Sequence, residues 1–571
     1  MVSVRVSTFT LSDGTTVHLP DTGVVLLVGP NNAGKSRLLK DLLGLARDPS
    51  YRIGALLSAA FEKATPEDLP TWISTHIPTY VKEGQQRIAV EGWGEVTPAD
   101  IASQWINGSN LNVLTNLFIL HADGTSRLTA GNSQPSIDFA SAYPTHPVQR
   151  AYQDPQLESL LDEESRLAFG LGVTVDRYGG SVIALRLGER PTFEHNNGAP
   201  TAHFIQQLKS LVRLEDQGDG IRSYLGLLLF MLAGNHQILL IDEPEAFLHP
   251  PQARALGRVL AERSKERQVL IATHSSAILQ GALGIGSSTT IVRVTREGNL
   301  NHAAVLPHDA LKDLWSDPLL RYSNIFDGLF HDAVVLCEGD ADCRYYSAVL
   351  DNMKPIQDST QARAPELLFT YAGGKARMAS VVDALAAVSV PVIVIADFDI
   401  LRDKKDVEKV VTSLGGDFST VESDLKLVGE SLSSDVKPLK KMPLREEFLS
   451  RLEGLPDLIS AKQVESLRPL LRADSGWDKA KRSGLGAVPQ GDAWAACERL
   501  LKQLSTIGLL VVPVGELERF APGVSGHGPN WVTEVLEQQL HRSPSTNAAE
   551  FVQLLSLTAS RMTGVDVGDA D

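Results

Sequence analysis

Cysteine is scarce in this 571-residue sequence: Cys337, Cys343 and Cys497 are the whole set. They are too few and too scattered for a disulfide framework or a zinc site, so a reducing cytoplasm is expected. Long apolar runs are missing too. The longest, around Leu225–Ala233, falls far below the roughly 20 residues that a membrane span needs. The opening MVSVRVSTFTLSDG lacks the basic-then-apolar pattern of a secretory signal. A soluble protein without a membrane partner is expected. Positive charge is in deficit, with 53 Lys and Arg against 69 Asp and Glu, a formal charge of −16. That counts against a chain that coats nucleic acid. It leaves room for a nuclease, which needs only a local basic groove and bound cations. No internal repeat or long low-complexity tract occurs.

What is present is ordinary globular material, 43% apolar and 21% charged, in a chain long enough for two to four domains. Residues 2–28 read as strand, Asp13-Gly14 turn, strand, and the buried run VVLLVG. A second hairpin is expected within 167–187, and an apolar helix over 221–232. ILLID and QVLIA read as buried strands separated by the amphipathic helix QARALGRVLAERSKE. Such alternation predicts an α/β fold with a mostly parallel sheet. Residues 300–330 show little periodicity. A second α/β unit then begins, with strands AVVLCEG, ELLFTYAGG and PVIVIADFD, a charged helix-favouring stretch, and a last strand, IGLLVVPVG. The expected domains are an ATPase-like unit over 1–305, a linker over 306–330, and a second unit over 331–530 with a helical insertion at about 404–505. C-terminal helices and a polar tail complete the chain over 531–571.

VGPNNAGKS (Val28–Ser36) follows a buried strand and precedes a helix, the context that a Walker A loop requires. Gly29, Asn32 and Gly34 let backbone amides curl around phosphates, Lys35 reaches the β/γ oxygens, and the Ser36 hydroxyl is placed for Mg²⁺. Asp242-Glu243 ends the strand ILLI, at the sheet edge beside that loop. Asp242 is expected to hold Mg²⁺ through water, and Glu243 to orient the attacking water. His274, ending the next strand, is the candidate γ-phosphate sensor. ATP with Mg²⁺ is the expected cofactor.

A separate acidic set lies in the second unit. Glu338-Gly339-x-x-Asp342 ends one strand, Asp397-x-Asp399 ends another, and Asp403 follows. Carboxylates gathered at one edge of a parallel sheet repel unless divalent cations lie among them. Oxygen ligands without His or Cys favour Mg²⁺ or Mn²⁺.

DEPEAFLHP (Asp242–Pro250) resembles the Walker B strand end and following loop of ABC ATPases of the SMC/RecF/OLD branch. QGDGIRSYL (Gln217–Leu225) stands where that family has its signature, with Gly218 and Gly220 at a helix start. The resemblance implies a head-to-tail nucleotide sandwich between two protomers. Gln85, Gln86 and Gln104 are the candidates for a Q-loop glutamine. The Glu338 and Asp-x-Asp motifs, with Gly373-Gly374-Lys375 between them, resemble the Toprim domain of topoisomerases, primases and OLD nucleases. VPVGELERF is similar to the third acidic motif of OLD-type domains and offers Glu516 and Glu518. The resemblance makes Asp342 and the Asp-x-Asp pair metal ligands and Glu338 a ligand or general acid/base. OLD nucleases place a lysine near the end of this domain, whereas the last lysine here is Lys502. His527, Arg519 and Arg542 are the possible substitutes, His527 foremost.

An ABC-type ATPase followed by Toprim is the architecture of the OLD (overcoming lysogenization defect) family. The class includes the nuclease subunit of Gabija-type defence and retron-associated effectors. The resemblance implies a nucleotide-regulated, metal-dependent DNA endonuclease of antiphage defence. The implied assembly is a homodimer or larger homo-oligomer, with a helicase-like or reverse-transcriptase partner. The other readings are a RecF/SMC-like repair ATPase with a non-catalytic Toprim domain, and an RNA-cleaving effector.

Overall fold

The computed structural model describes residues 4–51, 54–63, 79–90, 94–107, 111–138, 144–234, 236–284, 289–306, 324–353, 364–434, 441–456 and 475–564. Leu69, Ile73, 459–460, Val464 and Leu467 are described besides. The chain divides into two compact units, Met1–Phe330 and His331–Asp571.

In the first unit, Arg5–Leu11 (β1) and Thr16–His18 (β2) form the expected hairpin. Its turn is held by Asp13, whose carboxylate accepts from the Thr15 amide at 2.8 Å. Gly23–Val28 (β3) is buried at all six positions because the sheet is covered on both faces. It leads through the glycine loop into Lys35–Arg47 (α1). Leu56–Glu62 (β4) returns to pair with β1.

The central sheet also contains Ile119–Ala122 (β5), Ile238–Asp242 (β6), Gln268–Ala272 (β7), Thr289–Glu297 (β8) and Leu300–Leu306 (β9). Its order is β9-β8-β3-β7-β6-β5, parallel except for the β8–β9 hairpin. Two features differ from expectation. Residues 300–306, anticipated as the start of an aperiodic transition, form a full strand at the sheet edge. β5 was not anticipated, since four residues with a histidine among them are too short to give a period. Val173–Asp176 and Val182–Leu187 make the second hairpin. It starts after 167–169, which still belong to the helix Pro155–Phe169. Asp219–Ala233 (α2) is buried on nearly every side. Of the expected linker, Asn324–Phe330 is a 3-10 helix within the first unit, and 307–323 lie outside the described residues.

The second unit is a four-stranded parallel sheet. Ala333–Cys337 (β10), Leu367–Tyr371 (β11), Val392–Ala396 (β12) and Leu509–Val511 (β13) lie in the order β11-β10-β12-β13. Asp340–Asn352 (α3) and Lys375–Ala386 (α4) connect the first three strands. Between β12 and β13 come the helices Lys404–Ser413 (α5), Ser419–Ser434, Lys441–Glu453, Gly476–Ser483 (α6) and Asp492–Thr506. Pro529–Glu537 and Thr546–Thr563 come after β13. They pack Trp531 and Phe551 onto Tyr345, Tyr346 and Phe520 in the core. The tail after Gly564 lies outside the described residues. Among the described residues, no helix is long and apolar enough to cross a membrane.

Candidate nucleotide and metal sites

The nucleotide loop is built by close approach. Gly29 has φ +139°, and a Cβ there would lie 2.0 Å from the Val294 carbonyl oxygen, so only glycine fits between loop and β8. Asn32 and Gly34 also adopt positive φ. Lys35 is the first residue of α1, and its buried Nζ donates to the carbonyls of Gly29 and Pro30, each at 2.8 Å. Burial pulls its pKa down to about 8, against the opposing fields of Glu243, Glu245 and Asp242. Ser36 Oγ donates to Asp242 Oδ1 at 2.7 Å; these are the oxygens that Mg²⁺ would take.

Glu243 comes next, with φ +46° and a half-exposed side chain whose Oε1 lies 3.8 Å from His274 Nε2. The His274 amide donates to Glu245 Oε1 at 2.7 Å, and burial pushes the Glu245 carboxyl up. The loop, Asp242, Glu243 and His274 therefore share one edge. Gly218 is the N-cap of α2, and a Cβ on Gly220 would meet the Phe247 carbonyl oxygen at 2.7 Å. That start of α2 thus packs on the loop after the acidic pair.

The glutamine candidates need correcting. Gln85 and Gln86 are exposed at the start of a strand of a separate small sheet, and Gln104 lies on a helix. None follows a strand of the central sheet. On its outer side β6 pairs with β5, which is followed directly by Asp123, the residue that caps the next helix by accepting from the Ser126 amide at 2.8 Å. Asn301 is a residue that sequence reasoning missed. Buried on β9, it donates from Nδ2 to the Ala33 carbonyl at 2.7 Å and so braces the phosphate loop.

In the second unit, β10, β12 and β13 are adjacent and parallel, so the loops leaving their carboxyl ends meet at one edge. Glu338 follows β10. Asp342, one turn into α3, accepts from the Gly339 amide at 2.9 Å. Asp397 and Asp399 follow β12, and the Phe398 amide between them donates to the Gly515 carbonyl at 2.8 Å. Glu516 and Glu518 follow β13. Burial, then repulsion from Glu338 and Asp342, raises the Asp397 pKa to about 8. Asp342 is raised to about 6, first by burial, with Glu338 and Glu518 adding repulsion against the Gly339 hydrogen bond. Glu338 is raised by burial, with Lys375 opposing. Its Oε2 is buried without a hydrogen-bond partner. Lys375 Nζ stands 3.7 Å from that oxygen, and three converging carboxylates that still resist ionisation mark a site with room for more positive charge. The hard oxygen donors fit Mg²⁺ or Mn²⁺.

Glu516, Glu518 and His527 form a second group, with ligand atoms within 4.8 Å of one another. His527 Nδ1 contacts Glu518, which also accepts from the Gly528 amide at 2.7 Å. Arg519 pairs with Glu516 at 3.1 Å. Asp403 serves the backbone instead. Exposed, it caps α5 by accepting from the amides of Lys405 and Asp406. Arg542 lies in the turn Leu540–Arg542.

Two lysines face the acidic edge. Lys375, set at the start of α4 by Gly373 and Gly374 at positive φ, contacts Asp399 and lies 3.7 Å from Glu338 Oε2. Lys481 on α6 lies 4.0 Å from Asp399 Oδ2. Its helix is clamped to the acidic loop: a Cβ on Gly515 would lie 2.3 Å from the Lys481 carbonyl oxygen, and one on Gly484 1.9 Å from that of Pro513. Nothing in the local sequence around Lys481 marked it.

Family models match the same two regions. Residues 153–280 match an AAA domain described as putative AbiEii toxin, type IV TA system. Residues 329–399 match the Toprim domain of overcoming-lysogenization-defect-like proteins. The chain carries the domain pair of the OLD family. Within this OLD-type order, the first match contains Gly218, Asp242, Glu243 and His274, and the second contains Glu338, Asp342, Asp397 and Asp399. No curated protein matches the chain. Solved structures with distant similarity include SMC heads. The Smc head bound to the C-winged helix domain of ScpA has 11% identity and TM-score 0.35, over 55% of this chain and 98% of that one. The Smc head bound to a ScpA domain derived from Pyrococcus furiosus has 11% identity and TM-score 0.33, over 55% and 99%. The SMC head from Thermotoga maritima has 15% identity and TM-score 0.27, over 54% and 97%.

Proposed function

We propose that this OLD-type chain is a nucleotide-regulated, divalent-metal-dependent endonuclease that hydrolyses DNA phosphodiesters in defence against phage. The observation that carries the reading is the convergence at one sheet edge of half-buried carboxylates, Glu338, Asp342 and Asp397, whose ionisation burial and mutual repulsion oppose. Glu338, Asp342, Asp397 and Asp399 would hold one Mg²⁺ or Mn²⁺, and Glu516 and Glu518, with His527, a second. When bound, such ions would supply an activated water and charge to stabilise the leaving oxygen. The chain's own part is to fix these ligands on a rigid sheet edge, to take a proton at Glu338, and to face a phosphate with Lys375 and Lys481.

ATP would bind at Lys35 and Ser36 as the regulator, with Asp242 placed to hold Mg²⁺, Glu243 to orient the attacking water and His274 to sense the γ-phosphate. Gly218 and Gly220 would meet the nucleotide of a second protomer, so the working state is a homodimer or larger homo-oligomer. The defence role and a helicase-like or reverse-transcriptase partner rest on the family resemblance.

Supercoiled plasmid and a structured RNA, incubated side by side with Mg²⁺, Mn²⁺ or chelator, test the reading. Metal-dependent nicking of the plasmid is expected. Intact plasmid under every condition would leave a Toprim domain that only docks partners, and cleavage of RNA alone would make the chain an RNase.

A further inference from the structure

Arg127 sits on the short helix Gly124–Thr129 just after β5 and is fully buried. All four of its hydrogen bonds go to neutral oxygens. Nη1 donates to the carbonyls of Ala122, at 3.1 Å, and Asp242; Nη2 donates to that of Glu243 at 2.9 Å; Nε donates to Ser223 Oγ at 3.2 Å. Burial lowers its pKa, and the carboxylates of Glu245, Asp242, Asp123 and Glu243 oppose that only through space, since none of them accepts one of these hydrogen bonds; a guanidinium placed so is costly compared with a hydrocarbon filling the same space. Packing alone therefore does not account for it, whereas its fork geometry does: a planar group with five N–H donors can hold several carbonyls in fixed relation.

The groups it holds are specific. Two of the carbonyls flank Glu243, whose φ of +46° is a conformation that costs on the order of 1–3 kcal/mol and needs outside support. Ser223 lies one turn into α2, the helix that starts at Gly218 and Gly220. The same helix presses on the backbone of Arg127 itself, since a Cβ on Gly226 would lie 2.0 Å from the Arg127 carbonyl oxygen. One side chain thus joins the end of β5, the acidic pair after β6 and the first turns of α2.

We infer that Arg127 is a positioning residue that passes the placement of α2 to Glu243, so that ATP hydrolysis depends on where the start of α2 is held. The inference rests on the ATPase reading. Ser223→Ala cuts only the link to α2. Arg127→Lys keeps a charge that cannot span all four oxygens.

The experiment is steady-state ATPase and nucleotide affinity on the full chain. Expected is a fall in kcat of about tenfold for Arg127→Lys and about threefold for Ser223→Ala, with ATP affinity kept within about twofold. Ser223→Thr should restore most of the loss, and Ser223→Ala should add little in the Arg127→Lys background. Wild-type kcat in Ser223→Ala, or independent effects in the double variant, would overturn the link while the ATPase reading stands. Because Ser223→Ala is mild, the outcome survives a failure of Arg127→Lys to fold. A wild-type chain that binds ATP without turning it over would overturn both.

Discussion

Lys375 Nζ lies 3.7 Å from Glu338 Oε2 and touches Asp399, so an ammonium group stands among the very oxygens that would ligate a cation. Lysine and metal compete for the same negative charge. Lys375→Met should therefore bind Mn²⁺ several-fold more tightly while cutting more slowly, because the ammonium is then missing from the phosphate. Calorimetric Mn²⁺ titration alongside plasmid nicking checks both halves; weaker Mn²⁺ binding would mean that Lys375 supports the ligands rather than opposing the ion.

Glu338→Ala and Asp397→Ala should each abolish metal-dependent cleavage, with ATP affinity unchanged. Each removes a ligand at the Toprim site and leaves the nucleotide loop intact. Nicking at the wild-type rate by both variants would remove the nuclease assignment.

Asp397 gives a pH signature. Its folded pKa of about 8 stands above the ordinary 3.8, so between those values the folded chain holds a proton that the unfolded chain has lost. Stability without metal therefore falls as pH rises through that window. Metal needs the carboxylates ionised, so Mg²⁺ affinity should rise over the same range. Thermal melting at pH 6 and pH 8.5, with chelator and with Mg²⁺, checks this. Asp397→Asn should flatten the slope in chelator, and a slope unchanged from wild type would contradict the assignment.

At the nucleotide loop the sign reverses. Lys35, lowered to about 8 by burial, loses its charge as pH rises past that value, and ATP affinity should fall with it. Lys35→Ala should lose most binding at every pH. Glu243→Gln should keep ATP bound and slow turnover by at least about tenfold; unchanged turnover would remove Glu243 from the reaction.

The absent C-terminal lysine now has a different candidate. His527 lies against Glu518, in a position suited to a ligand, whereas Lys481 brings a cation to within 4.0 Å of Asp399. Lys481→Ala should slow cleavage about tenfold with Mn²⁺ affinity kept, and His527→Ala should weaken Mn²⁺ binding instead. Metal titrations and single-turnover rates on the two variants would show if the roles are exchanged.

Much of this was legible in local patterns. VVLLVG before GPNNAGKS, and VVLC and VIVIA before their carboxylates, each put a buried strand directly ahead of a polar site, so strand and site announce one another. Asn301, Arg127 and Lys481 were not legible, because each acts on oxygens far along the chain that no local pattern points to. Asp403 misled for the opposite reason: its spacing from Asp399 fits a ligand, but a carboxylate just before a helix is equally suited to capping it.

The clamp of α6 onto the loop at Gly515 sets what the helical insertion can tolerate over evolutionary time. The segment from Gly476 to Gly484 is held on both sides, because the helix Ser419–Ser434 also presses on it: a Cβ on Gly476 would lie 2.1 Å from the Leu432 carbonyl oxygen. There a bulkier residue at Gly484 or Gly515 would lift Lys481 off Asp399. A truncated homologue that keeps only the strands and their carboxylates would be a scaffold without its second lysine.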